Sequence, residues 1–386
     1  MIRRCALCSS TLQILAQDQW HIPGLGKKII GFSHCPDCGM IQQSPTVTPD
    51  EMTHFYKTTA VYNCFSDNYK PTEEKIISVT RNINDLLGLA GNVPKTVFQV
   101  GCSDGYTLSR YQEAGADSVL GIDPSEFNRK IAKIFYNIDS VCMEFEEFET
   151  DQRYDLAILT HVLEHLYDPK LILTKCNEFL HPGGWLLAEV PLLEKEEYFP
   201  TGYLSFEHIN YFTADLFTQM IEACGFEIQL QTKLYKACRY PVVTVIAKKF
   251  KSPNFQYKYR QDRNSAGVIN RFLNFDKSEW LRINNHLLKN IKIGSDIFLW
   301  GAGIHTSQLL CNTDIKKNYN IRYMLDNSET KWGKEIANIE CRKPSLNIFK
   351  NGDIVVISTR ASEEEVYQAL YNQYGDTIEL IKLYNL

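Results

Sequence analysis

The stretch VFQVGCSDGYTL, residues 97–108, constrains the fold more than any other part of the chain. An apolar run ends at Gly101, a short polar turn reaches Gly105, and a helix-like segment follows. A strand that passes through a glycine turn into a helix is the first step of a βαβ unit, because parallel strands must be joined by a crossover. Further apolar runs, SVLGID, YDLAIL and GGWLLAEV, alternate with amphipathic stretches between about residues 75 and 250. This alternation predicts an open, mostly parallel sheet with helices on its faces.

A second alternating series, DIFLWGAG, IRYMLDNS and DIVVIST, starts near residue 294 and predicts a smaller α/β domain. Residues 251–290 begin polar, with a proline, and then become amphipathic and helical, which marks a boundary. The 386 residues therefore divide into an N-terminal module (1–65), a central α/β domain (66–250), a helical linker (251–290) and a C-terminal α/β domain (291–386). The two α/β parts share an architecture without an internal repeat.

Net charge is −5 and no run of lysine or arginine occurs, so neither nucleic acid nor an anionic membrane is the expected partner. No apolar run approaches the roughly 20 residues of a membrane helix. The basic start MIRRCALCSS is followed by Gln13, Gln17 and Asp18, which break any signal-peptide core. A cytoplasmic chain is expected, in which the 12 cysteines serve as thiols or metal ligands rather than disulfides. Oligomeric state is not legible.

Cys5-x-x-Cys8 and Cys35-x-x-Cys38 have the spacing of two metal knuckles. Two such turns bring four thiolates to one tetrahedral centre, the geometry zinc prefers with sulfur. With all four positions filled by cysteine no site stays open for water, so the predicted Zn2+ is structural. The other cysteines, Cys64, Cys102, Cys142, Cys176, Cys224, Cys238, Cys311 and Cys341, are scattered and read mostly as small core residues.

The turn itself lacks the G-x-G-x-x-G of a dinucleotide site, since its spacing is Gly101-x-x-x-Gly105. The next strand ends in Gly121-Ile122-Asp123, where a carboxylate can accept from both ribose hydroxyls of a nucleoside cofactor. An aspartate-led strand, the segment THVLEHLYDP and a proline-glycine-glycine turn complete the order. This ordered set resembles the class I S-adenosylmethionine-dependent methyltransferases over roughly residues 75–250. The resemblance implies a Rossmann-like domain whose cofactor meets Gln99, Gly101, Ser103, Gly105 and Asp123, with Glu144 and Phe145 at the adenine and His161 near the sulfonium. The family usually has an acid where this chain has Gln99, and glycine where it has Ser103.

Methyl transfer requires a positioned nucleophile and a group that removes its proton. Two stretches supply histidines, which titrate near neutral pH. One is His161-Val-Leu-Glu164-His165, after the third strand; the other is FEHINYF, residues 206–212. The series CALC, CPDCGMIQQSP, the methyltransferase core, FEHINYF and a C-terminal GAG domain resembles, in order, the zinc-containing sugar C-methyltransferases. That resemblance implies a nucleotide-linked keto-deoxysugar as acceptor and methylation at carbon through an enolate. It makes His208 the base, supported by Glu207 and His165. The chain departs from the family's Y-H-E-H, having Ser205-Phe206-Glu207-His208, with Tyr203 as a possible stand-in. O- or N-methylation on the same scaffold stays open.

In the C-terminal domain Gly301-x-Gly303-x-x-Thr306 opens a helix and Asp326 ends the next strand. Taken alone this pattern could serve an NAD-dependent oxidoreductase. The sugar-enzyme resemblance instead implies a domain that closes over the acceptor, with His305 near a phosphate or the sugar. A non-catalytic zinc-ribbon adaptor is the third reading. Lys331 and Lys334 read as solvated.

Overall fold

The computed structural model describes residues 3–22, 24–44, 47–58, 69–200, 202–236, 240–250, 256–345, 348–360 and 362–384. Three sheets organise them. The N-terminal sheet holds β1 (Gln13–Ile22), β2 (Gly26–His34) and β3 (Ile41–Ser44), all antiparallel. Helices α1 (Pro49–Thr58) and α2 (Glu73–Ala90) lead from it to the central sheet.

The central domain runs β4 (Thr96–Val100), α3 (Tyr106–Ala114), β5 (Ser118–Ile122), α4 (Glu126–Tyr136), β6 (Ser140–Val141), β7 (Tyr154–Thr160), α5 (Pro169–Phe179) and β8 (Leu180–Pro191). It then continues through β9 (Asn210–Tyr211), α6 (Ala214–Ala223), β10 (Phe226–Leu234) and β11 (Val242–Lys249). The seven-stranded order is β10-β11-β8-β7-β4-β5-β6, with β11 antiparallel to both neighbours and the rest parallel. Its strands are buried on both faces: Phe98, Leu159, Leu187 and Ala188 have almost no exposure. That explains why they read as continuous apolar runs rather than as alternating ones.

Helix starts follow local chemistry. Thr72, Ser125, Asp168 and Thr213 each accept an amide of the first turn of α2, α4, α5 and α6, and Pro169 occupies the opening position of α5. The predicted linker helix is α7 (Ser265–Asn290), which begins later than the composition change at 251.

The C-terminal domain has β12 (Asp296–Trp300), α8 (Ile304–Asn312), α9 (Ile315–Asn318), β13 (Asn320–Leu325), β14 (Glu335–Ile336), β15 (Ile339–Arg342), β16 (Asp353–Ile357), α10 (Glu363–Tyr374) and β17 (Ile378–Ile381). Its sheet order is β14-β15-β13-β12-β16-β17, parallel except at β14.

One element departs from the sequence-based division. β9, the centre of FEHINYF, does not join the central sheet but pairs with β3, placing Ile41 opposite Tyr211 and Gln42 opposite Asn210. Trp20, Phe32, Phe206, Tyr211 and Phe272 then pack in one core shared by the N-terminal sheet, this loop and α7. The N-terminal module is thus fused to its neighbours by a common apolar core.

Candidate active site

The parallel order places β4 between β5 and β7, so a crevice forms beyond the carboxyl ends of these strands. The chain leaves β4 through Gly101 (φ 63°), Ser103 (φ 50°) and Gly105 (φ 78°). A Cβ at Gly101 would stand 2.7 Å from Val162 Cγ2, and one at Gly105 2.8 Å from the Ala132 Cβ. Those two positions therefore require glycine, whereas Ser103 carries a side chain in the same left-handed region.

The Ser103 amide donates to Asp123 Oδ2 at 2.8 Å. Asp123 Oδ1 accepts from Ser125 N at 2.9 Å and Asn128 Nδ2 at 3.1 Å. Burial pushes the Asp123 carboxyl up, against the pull of these amides.

A cavity of about 1500 Å³ opens here. It exceeds the roughly 300–1,000 Å³ of an ordinary ligand pocket, so it has room for two molecules. Every residue expected at the cofactor lines it except Gly105, which supports the turn from beneath. Gln99 Oε1 is buried and finds no hydrogen-bond partner among the described residues. An orphaned acceptor beneath a glycine turn suits the ammonium of an amino-acid moiety. The residues present therefore fit S-adenosylmethionine.

His161 follows β7 with φ 56°. Its Nδ1 lies 3.3 Å from Glu164 Oε1 and its Nε2 3.3 Å from Glu189 Oε1. Burial alone would lower its pKa, but Tyr240 and the two carboxylates raise it well above the ordinary value. The flanking carboxylates thus favour the charged form of His161, which does not suit it to act as a base.

Glu189 also accepts from Arg81 Nη2 and Thr244 Oγ1, each at 2.5 Å. Burial opposes its charge, yet His161, Thr244 and Arg81 hold its pKa down to about 2. Sequence reasoning missed this residue. Its signal was a lone acid inside the apolar run WLLAEV.

His165 lines the cavity, and its Nδ1 donates to the Glu207 carbonyl at 3.0 Å. Its Nε2 lies 3.7 Å from Glu164 Oε1. Glu207 and His208 do not line the cavity. The His208 ring stacks edge-on behind His165 at 5.1 Å, and burial with the neighbouring His165 lowers its pKa to about 3. Tyr203 is buried against Phe199, its hydroxyl without a hydrogen-bond partner among the described residues; Tyr240 lines the cavity instead.

The arrangement is held by Asn210. Its Nδ2 donates to the carbonyls of Leu163 at 3.0 Å and Leu166 at 2.7 Å, while its Oδ1 accepts from Gln42 Nε2 at 3.0 Å. The short turn bearing Glu164 and His165 is thereby fixed to the N-terminal sheet.

Cys5, Cys8, Cys35 and Cys38 converge, with Sγ separations of 3.5 Å for Cys5–Cys38 and 3.4 Å for Cys8–Cys35. Four sulfurs about 2.3 Å from a tetrahedral ion would stand roughly 3.8 Å apart, so the cluster suits zinc. Of the scattered cysteines, Cys102, Cys176, Cys224 and Cys341 are buried, Cys311 is partly buried and Cys142 is exposed. Cys64 and Cys238 lie outside the described residues.

In the C-terminal domain the Ala302 amide donates to Asp326 Oδ2 at 2.9 Å and the Ser328 amide to Oδ1 at 2.9 Å. This repeats the bonding around Asp123, but here Lys331 Nζ also sits 2.7 Å from Asp326 Oδ2. The ribose-binding carboxylate that an NAD site would need is thus already paired, by a lysine expected to be solvated. His305 is bound at both ring nitrogens, to Ser358 Oγ at 3.1 Å and the Tyr384 hydroxyl at 2.6 Å.

The sequence family described as a methyltransferase domain matches residues 73–231. The chain is built around a class I S-adenosylmethionine-dependent methyltransferase domain. The chain is 30% identical over 134 residues to the ubiquinone biosynthesis O-methyltransferase of Nitrobacter winogradskyi, covering 33% of this chain and 48% of that protein. It is 36% identical over 106 residues to the enzyme of the same description from Bordetella avium, covering 25% and 44%. The chain spans about half the length of the curated relatives it matches. The solved N-methyltransferase NodS of Bradyrhizobium japonicum, in complex with S-adenosyl-L-homocysteine, aligns over 50% of this chain and 97% of its own with 13% identity and a TM-score of 0.41.

These relatives overturn the expected sugar C-methylation, since the curated proteins matched in sequence are described as ubiquinone biosynthesis O-methyltransferases. The physical reason lies in the FEHINYF loop. With β9 paired to β3, His208 does not line the cavity and Tyr203 is sunk in the core, so the expected base is not presented to an acceptor there. Among the described residues no helix is long and apolar enough to cross a membrane.

Proposed function

We propose that the chain transfers the methyl group of S-adenosylmethionine to a hydroxyl oxygen of a small, quinone-like organic acceptor. The observation that carries this reading is the cavity of about 1500 Å³. Gln99, Gly101, Ser103 and Asp123 of the turn line it together with His161 and His165. The similar O-methyltransferases support this acceptor class.

S-adenosylmethionine supplies a methyl carbon already activated by its sulfonium. Gln99 Oε1 receives the ammonium and Asp123 receives the ribose. Glu144 and Phe145 border the adenine. The Glu189–His161–Glu164 array carries a fixed charge pattern near the sulfonium end. The Glu164–His165 pair activates the acceptor hydroxyl, and His208 and Glu207 support it from behind. The four cysteines hold a structural zinc ion that secures the N-terminal module.

The test is mass spectrometry of products formed with methyl-labelled S-adenosylmethionine and a panel of hydroxylated quinones and catechols. The expected result is one labelled methyl ether. Tight cofactor binding without label on any hydroxylated acceptor would overturn O-methylation.

A further inference from the structure

The match to the methyltransferase domain begins at residue 73, so α1 stands outside it. Yet Pro49, Met52 and Thr53 of α1 line the same cavity as Gln99, Ser103 and Asp123. Leu166 and Tyr167, which follow His165, line it as well. The Tyr167 hydroxyl donates to the Val47 carbonyl at 2.8 Å. The turn that carries His165 is thereby tied to the residues that open α1.

That end of α1 is firmly held. Thr48 and Glu51 form a reciprocal capping box: the Glu51 amide donates to Thr48 Oγ1 at 3.2 Å, and the Thr48 amide to Glu51 Oε2 at 2.9 Å. Lys28 Nζ of β2 lies 2.5 Å from Glu51 Oε1. Met52 is buried in the core that holds Trp20, Phe55 and Phe206. A helix fixed in this way presents a shaped surface to a ligand, not a yielding one. What it offers is an adaptable thioether and a proline ring, with the small Thr53 side chain beside them.

We propose that α1 selects the acceptor, with Met52 and Thr53 in contact with its ring while its hydroxyl meets His165. The residues assigned to the cofactor come from the ends of β4 and β5 and from positions 144–161. None comes from α1, so the part of the cavity that α1 borders is left for the second molecule. The shared domain then supplies the cofactor chemistry, and a helix of the N-terminal module sets which acceptors fit. The chemical class of the acceptor rests on the proposed O-methylation; its place against α1 does not. A difference of one methylene in such a pocket discriminates by about 10–200-fold, so two side chains suffice to set a size limit.

The test uses the full chain and two probes of different size, catechol and 4-tert-butylcatechol. Calorimetry on the chain saturated with S-adenosyl-L-homocysteine reads the affinity for each, and methyl-labelled S-adenosylmethionine reads transfer to each. Thr53→Phe should cut the preference for 4-tert-butylcatechol over catechol at least about tenfold, and Met52→Ala should raise it. Zinc content and cofactor affinity are kept as checks of folding. Loosened packing alone would not move the preference in opposite senses. Should Met52→Ala fail to fold, Thr53→Phe, at a partly exposed position, carries the test. An unchanged preference in Thr53→Phe, or no binding of either probe to the wild type, would overturn the assignment. Failure of the O-methylation reading looks different: both probes bind with the shifted preference, but no label reaches their oxygens.

Discussion

Asp123 performs two tasks with one carboxylate. It braces the turn through the Ser103 and Ser125 amides, and it stands where a ribose would be held. Asp123→Ala should therefore lower S-adenosylmethionine affinity by roughly 1–3 kcal/mol, the scale of a hydrogen bond to a charged group. Calorimetry checks this; unaltered affinity would remove Asp123 from the cofactor site. His165→Ala should keep cofactor binding and cut turnover about 10²–10⁴-fold, the usual range for activation of a nucleophile. A fully active variant would refute the role given to His165. The glycines and Asp123 were legible because turn geometry and a strand-end acid leave marks in sequence. That His165 lines the cavity was not. The turn bearing it is held by Asn210, which Gln42 meets from far upstream in the chain.

At the scale of elements, β7, β8 and α2 meet through Glu189, which links Arg81, Thr244 and His161. Its carboxyl is held at about 2 against an ordinary 4.5. A depressed carboxylate contributes stability that is present above its unfolded value and lost as pH falls towards its folded value. Unfolding free energy should thus be steady above about pH 5 and decline below it, by about 3 kcal/mol from this group alone. Glu189→Gln should remove that part of the acid sensitivity in urea unfolding series between pH 6 and 3. An unchanged pH slope would show that the network carries no such coupling. The strands themselves were readable as apolar runs. The short β9 was not, since two residues carry no periodicity and its partner β3 lies far upstream.

For the whole molecule, the order of module, central domain, helix and second α/β domain was readable from composition and alternation. The way these parts are joined was not, because it rests on single side-chain bonds. The Asp262 amide donates to the Cys38 carbonyl at 2.9 Å, and its carboxylate accepts from the Thr213 hydroxyl at 2.5 Å. The same carboxylate takes the Asn264 and Ser265 amides, and Ser265 Oγ donates to the Gly39 carbonyl at 2.6 Å. A Cβ at Gly39 would meet the Asp262 carbonyl oxygen at 2.1 Å, so the knuckle and this segment are in close contact. Cys35→Ser should lose zinc and lower the melting temperature, with faster hydrogen exchange over residues 261–272. A folded variant that keeps its zinc would refute the four-thiolate site. α7 leaves this junction and buries Trp280, Ile283 and Leu287 in the C-terminal core. Its 26 residues form a lever about 39 Å long. A tilt of about 5° where it is anchored beside the cysteines would swing the distant end by roughly 3 Å, so the packing of Gly39 on Asp262 sets how the last domain is aimed.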